Sequence, residues 1–153
     1  TTFSGSSNAA NAKLVAFGGN NGGYGGRIEF YDDSIGGEAT VELYGNGELD
    51  ISYHTHELTI GSLQLFGGTI ILQLGSKPTS LILTQKLILN SDKVVFSFPE
   101  DDGKYEYDKP YAILTSPNLS NFAENQFEWD NLNGVKATFS IDGNNLQVTF
   151  NKE

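Results

Sequence analysis

Two histidines, His54 and His56, flank Thr55 and are the only ones in the chain. On a strand they share one face, and Asp50 or Glu57 adds a carboxylate, a set suited to zinc or copper. Two imidazoles without an evident third ligand read more plainly as a polar corner between rungs. Acidic runs at Asp32-Asp33 and Glu100-Asp101-Asp102 fall in expected loops. Carbonyls or Asn side chains converging there would hold Ca²⁺, although most such runs are solvated turns. The expectation is no resident cofactor, with Ca²⁺ possible at the acidic runs.

Glu29 and Asp50 form the second constellation. If their segments are neighbouring strands, the two carboxylates lie about 4.8 Å apart along the stack, close enough to suggest a glycosidase pair or a cation site. The plainer reading is a solvated outer face on which Arg27 and Glu48 also pair. A glycosidase needs a cleft, aromatic platforms and an acid of raised pKa, none of which the sequence displays. Arg27 is the only arginine, whereas enzymes that cleave acidic sugars need several cations to hold carboxylates and stabilise developing charge. The glycine run from Gly18 to Gly26 lacks the Lys and Ser/Thr of a phosphate loop and reads as an extended corner. No catalytic residue is assigned, and the chain is not expected to be an enzyme.

Positioning these groups falls to a repeat. Leu14-Val15-Ala16-Phe17-Gly18, Val41-Glu42-Leu43-Tyr44-Gly45 and Leu63-Gln64-Leu65-Phe66-Gly67 are near copies at steps of 27 and 22 residues, and Leu87-Ile88-Leu89-Asn90 is a degenerate fourth, 24 further on. Gly26-Arg27-Ile28-Glu29-Phe30 aligns with Gly47-Glu48-Leu49-Asp50-Ile51, and Phe3 with Phe30. Thr69 to Leu74 aligns with Lys93 to Phe98 at a step of 24. Short alternating strands at such a period mark a solenoid. Strands joined to their own copies one turn later run parallel, so the expected fold is all-β: a single-domain parallel β-helix of about four rungs over residues 1–99. Ile28, Phe30, Leu49 and Ile51 point inward, and Arg27, Glu29, Glu48 and Asp50 face solvent. Phe17, Tyr44 and Phe66 point outward and stack. They form a candidate surface for a partner or a glycan, unless each ring simply covers its own corner.

Residues 100–153 break the pattern and read as a β-rich C-terminal cap of the same domain. Leu119 to Gln126 is predicted to form one short helix capped by Asn118 or Ser120. Ala137–Ile141 and Leu146–Phe150 form a hairpin about Asp142-Gly143. Tyr105, Tyr107 and Trp129 offer a second aromatic surface.

Composition narrows the partners. The net charge is −10, which disfavours nucleic acid, whose binding depends on neutralising phosphates, and disfavours anionic membranes likewise. No apolar run approaches a membrane span, so no membrane insertion is expected. Cysteine is absent, so no disulfide framework exists. Methionine is absent too, and the expectation is a processed or excised piece that opens in mid-rung.

The runs Gly25 to Val41, Gly45 to Ser52 and Thr59 to Leu63 resemble the autotransporter-associated β-strand repeat of bacterial surface proteins, whose strands end in Asp-Ile-Ser and resume at Ile-Gly-Ser. The segment Ala137 to Val148 is similar to the closing segment of such proteins. The resemblance implies a right-handed parallel β-helix, exported and displayed outside the cell as a scaffold or adhesin. The leading expectation is a non-catalytic structural solenoid, scaffold or adhesin, whose open N-terminal face either joins copies head to tail into fibres or was covered by preceding rungs of a longer parent. A carbohydrate-binding module using the outward aromatics is the alternative, and a carbohydrate-active enzyme a more distant one.

Overall fold

The computed structural model describes residues 1–75, 77–99, 105–130, 132 and 134–152. Among the described residues eleven strands make one sheet: β1 (Thr2–Phe3), β2 (Lys13–Ala16), β3 (Arg27–Phe30), β4 (Thr40–Asp50), β5 (Leu58–Ile71), β6 (Leu81–Leu89), β7 (Val94–Ser97), β8 (Pro110–Thr115), β9 (Phe127–Trp129), β10 (Val135–Asp142) and β11 (Asn145–Lys152). The parallel coils stack into a β-solenoid of about four turns. The long strands β4 and β5 bend through corners, so one half closes a rung and the other opens the next.

Three columns of side chains fill the interior, because period two sends every second residue inward. In the first, Ile28 lies in register with Leu49, then Ile70, Phe96 and Trp129. In the second, Leu14, Val41, Leu63 and Leu87 follow one another. In the third, Leu58, Leu81 and Leu114 do so. All but Leu14 are buried, each contributing about 1.5–3 kcal/mol by removal from water. The aligned copies therefore pair as the spacing implies, at steps of 27, 22 and 24 residues in the second column.

One register differs. Thr69 pairs with Val95 and Ile70 with Phe96, a step of 26 rather than 24. Because 24 and 26 share parity, the same face stays inward and hydrophobic pattern alone cannot separate them. The two extra residues lie between Leu89 and Val95, where Asn90–Val94 replaces the shorter Phe66–Gly68.

That shorter corner requires glycine. Gly68 has φ +85°, and a Cβ there would sit 2.7 Å from both the Gly47 carbonyl oxygen and Leu43 Cβ. Gly68→Ala is expected to lose about 3 kcal/mol, read as a lower urea midpoint at unchanged m-value.

Parallel pairing continues beyond residue 100, with β8 beside β6 and β9 beside β7. The expected helix from Leu119 to Gln126 is instead two 3₁₀ turns, Leu119–Asn121 and Glu124–Gln126. Extended backbone at Phe122 and Ala123 interrupts them and lets Phe122 pack against Phe127. Asn118 does not cap a helix through its side chain. Its amide accepts from Leu87 N–H at 3.0 Å and donates to Leu87 C=O at 2.8 Å, so it stands in for a strand where the rung has none. β10 and β11 form the expected hairpin, with a two-residue loop led by Gly143 at φ +61°. β11 also pairs antiparallel with β8 and lays Leu146, Val148 and Phe150 over the last rung. Among the described residues no helix is long and apolar enough to cross a membrane.

Candidate functional site

The outward aromatics stack as the spacing predicts. Phe17 and Tyr44 have ring centroids 5.3 Å apart, and Tyr44 and Phe66 lie 4.5 Å apart at an interplanar angle of 2°. Rung pairing itself sets this spacing, since each ring leaves the solenoid at the same register one strand further on. The stack uses up its own faces: both sides of Tyr44 and one side each of Phe17 and Phe66 are covered by a neighbouring ring. A sugar needs an open face, so the geometry favours packing over a glycan platform. Asn90 takes the next position and ends the stack, while Phe17 at its head is 65% exposed. A parallel stack of Phe3 on Phe30, 4.8 Å apart, ends on the same side. Tyr44 donates its hydroxyl to Glu42 at 3.2 Å. Burial first, then the Glu42 charge, raises its pKa.

A polar network covers the outer face of the first column. Arg27 Nη2 donates to both Glu48 oxygens at 3.3 and 3.2 Å, and its Nη1 lies 3.7 Å from Asp50 Oδ2. Burial alone would lower the Arg27 pKa, but the Glu48 and Asp50 carboxylates outweigh it and raise the value. Glu29 and Asp50 sit on adjacent strands in register. Asp50 faces outward as expected but does not reach solvent: it is 6% exposed, and its Oδ1 accepts from the Ser52 amide at 2.9 Å and the Ser52 hydroxyl at 2.6 Å. Glu29 accepts from the Tyr31 hydroxyl at 2.6 Å and from Thr2 at 3.2 Å. The paired carboxylates are therefore each engaged by local donors.

The Glu29 bond pushes the Tyr31 pKa up to about 12, with burial and the Glu29 and Asp50 charges adding to it. A raised folded-state value means that stability from the neutral phenol is fully present below the unfolded value of about 10 and is lost as pH rises toward 12. In an alkaline titration followed by tyrosinate absorbance, Tyr31 should ionise near pH 12. Glu29→Gln should return it toward the ordinary range.

The two histidines do come together, with rings 5.6 Å apart, edge to face. The buried His54 ring lies between two carbonyl oxygens, Nε2 at 2.7 Å from that of Ser34 and Nδ1 at 3.1 Å from that of His56, and a neutral ring donates to only one of them. His56 is exposed, with Nδ1 3.8 Å from Glu57. Asp32 pairs with His54 through backbone and accepts the Gly5 amide on its side chain at 3.1 Å; Asp33 is exposed. Among the described residues no group of three or more His, Cys, Asp or Glu is placed to hold a metal. Asp101 and Asp102 lie outside the described residues.

Sequence reasoning missed a cleft of about 590 Å³ on the outer face, lined by Tyr24, Arg27, Glu48, Asp50, Tyr53 and Phe98 among others. It also missed the stack of Tyr31 on Tyr53 at 5.6 Å. The signal was the register of Tyr31-Asp32 against Tyr53-His54, one rung apart, which no repeated motif marks. No protein-family model matches the chain, and neither a curated protein nor a solved structure matches it significantly.

Proposed function

We propose that the protein is a non-catalytic structural β-solenoid, exported and displayed outside the cell, whose copies join end to end through the first rung. The observation that supports this most is the edge formed by β1 and β2. Thr40 N–H donates to the Ala12 carbonyl, and Glu29 and Tyr31 amides donate to the carbonyls of Thr1 and Phe3. Backbone groups alternate sides along a strand, so those of Thr2, Lys13 and Val15 face away from the second rung. The uncovered faces of Phe3 and Phe17 lie on the same end. An edge of this kind, backbone plus two ring faces in solenoid register, takes another rung by β-augmentation.

The far end of the sheet is β10, where Glu124 reaches the Ile141 amide at 3.4 Å. The two ends are unlike, so their contact is heterologous and propagates into a fibre rather than closing. The resemblance to the autotransporter-associated repeat supports surface display. The full engagement of Glu29 and Asp50 by local donors supports a non-catalytic role. Light scattering of the purified chain against Val15→Pro, which removes one outward amide, tests the reading. Particles that grow with concentration in the parent and stay monomeric in the variant are expected; equal behaviour overturns it.

A further inference from the structure

We propose that the outer-face cleft binds a neutral, β-linked hexose chain, using Tyr24 and Tyr53 as stacking surfaces and the Arg27–Glu48–Asp50 network as its hydrogen-bonding wall. The inference is independent of end-to-end assembly, because these residues lie on the flank of the solenoid. The cleft's volume of about 590 Å³ is within the usual range for ligand sites of roughly 300–1,000 Å³.

Its lining has two characters. Ile71 at the end of β5 and Phe98 and Pro99 just beyond β7 supply its apolar side. Arg27 and Glu48, both partly exposed, supply donors and acceptors whose directions are fixed by their mutual bonds, with buried Asp50 behind the guanidinium. A flat sugar ring with equatorial hydroxyls has the same division, with C–H faces that pack on aromatics and a rim of hydroxyls that both donate and accept.

The tyrosines are placed for the first task. Tyr24 is 98% exposed on the Gly18–Gly26 corner, far beyond what packing calls for. Tyr53 is 51% exposed; Tyr31 covers one of its faces, and its ring borders the cleft. Unlike the Phe17–Tyr44–Phe66 stack, this pair ends against a cavity. Charge selects among sugars. Glu48 and Asp50 outnumber Arg27, so an acidic sugar is repelled, while the guanidinium held between them leaves hydroxyl-scale hydrogen bonding in place.

The test is titration of the full chain with cellohexaose, read by amide chemical shifts. Changes confined to residues near 24–27, 48–53 and 97–98 are expected. Tyr24→Ala, at a fully exposed position, should weaken binding about tenfold without touching the fold, and Tyr53→Ala should do at least as much. Phe17→Ala should leave it unchanged. Absence of shifts at millimolar sugar overturns the proposal. So does binding that Tyr24→Ala and Tyr53→Ala both leave intact, or preference for a glucosamine hexamer over the neutral one, which would make the cleft a cation site.

Discussion

Phe96→Ala is expected to cost about 4 kcal/mol, a large share of the roughly 5–15 kcal/mol that holds a domain folded. Phe96 is fully buried at the point where solenoid and C-terminal strands meet. It lies in register between Ile70 and Trp129. Its ring stacks on those of Phe127 and Trp129, at 6.5 and 5.8 Å, and is tilted against that of Phe139 at 6.1 Å. Truncation removes the transfer energy of a phenyl ring and leaves a cavity, and the rigid rung spacing prevents β7 and β9 from closing around it. Chemical denaturation should show the lowered midpoint, and loss of near-ultraviolet aromatic dichroism before far-ultraviolet signal would show the cap releasing first. A loss below about 1 kcal/mol would mean that the cap is not docked through this ring.

Val15→Pro should abolish assembly while sparing the monomer. Val15 lies in β2, pairs in register with Glu42, and by the alternation of the strand turns its amide away from the second rung. Proline at such a position deletes a donor the monomer does not use, and edge strands accept it. Leu14, which precedes it, is already extended, as a residue before proline prefers. In an end-to-end contact the same change removes one ladder bond and places a ring where the next strand must approach. Loss of fibres with unchanged circular dichroism is the expected result. Fibres of undiminished length would place the contact elsewhere, and unfolding of the monomer would mean that the amide is used within it.

The architecture was legible because a solenoid repeats its own instructions. Inward positions, parallel pairing and the outward ring stack follow from Leu14, Val41 and Leu63 and the aromatic-glycine ends of their segments. The step of 26 at Ile70 was not legible, since a shift of two residues leaves every hydrophobic residue on its face. Nor was Asn118, a single amide doing the work of a strand, or the extended break at Phe122 that divides the expected helix. Site residues were legible as neighbours but not as chemistry. The sequence places Glu29 beside Asp50 and His54 near His56, yet Arg27 over Asp50 and the Ser34 carbonyl against His54 Nε2 come from the adjacent rung. The outer cleft depends on a corner loop carrying Tyr24 over strands that alternate normally, and periodicity does not report where a loop folds back.

Electron microscopy of the purified chain, with light scattering on the same sample, tests end-to-end assembly most directly. Four rungs at the strand spacing give roughly 20 Å of solenoid, so filaments with an axial repeat of that length plus the C-terminal strands are expected, unbranched and polar. Strictly monomeric particles at high concentration would contradict it.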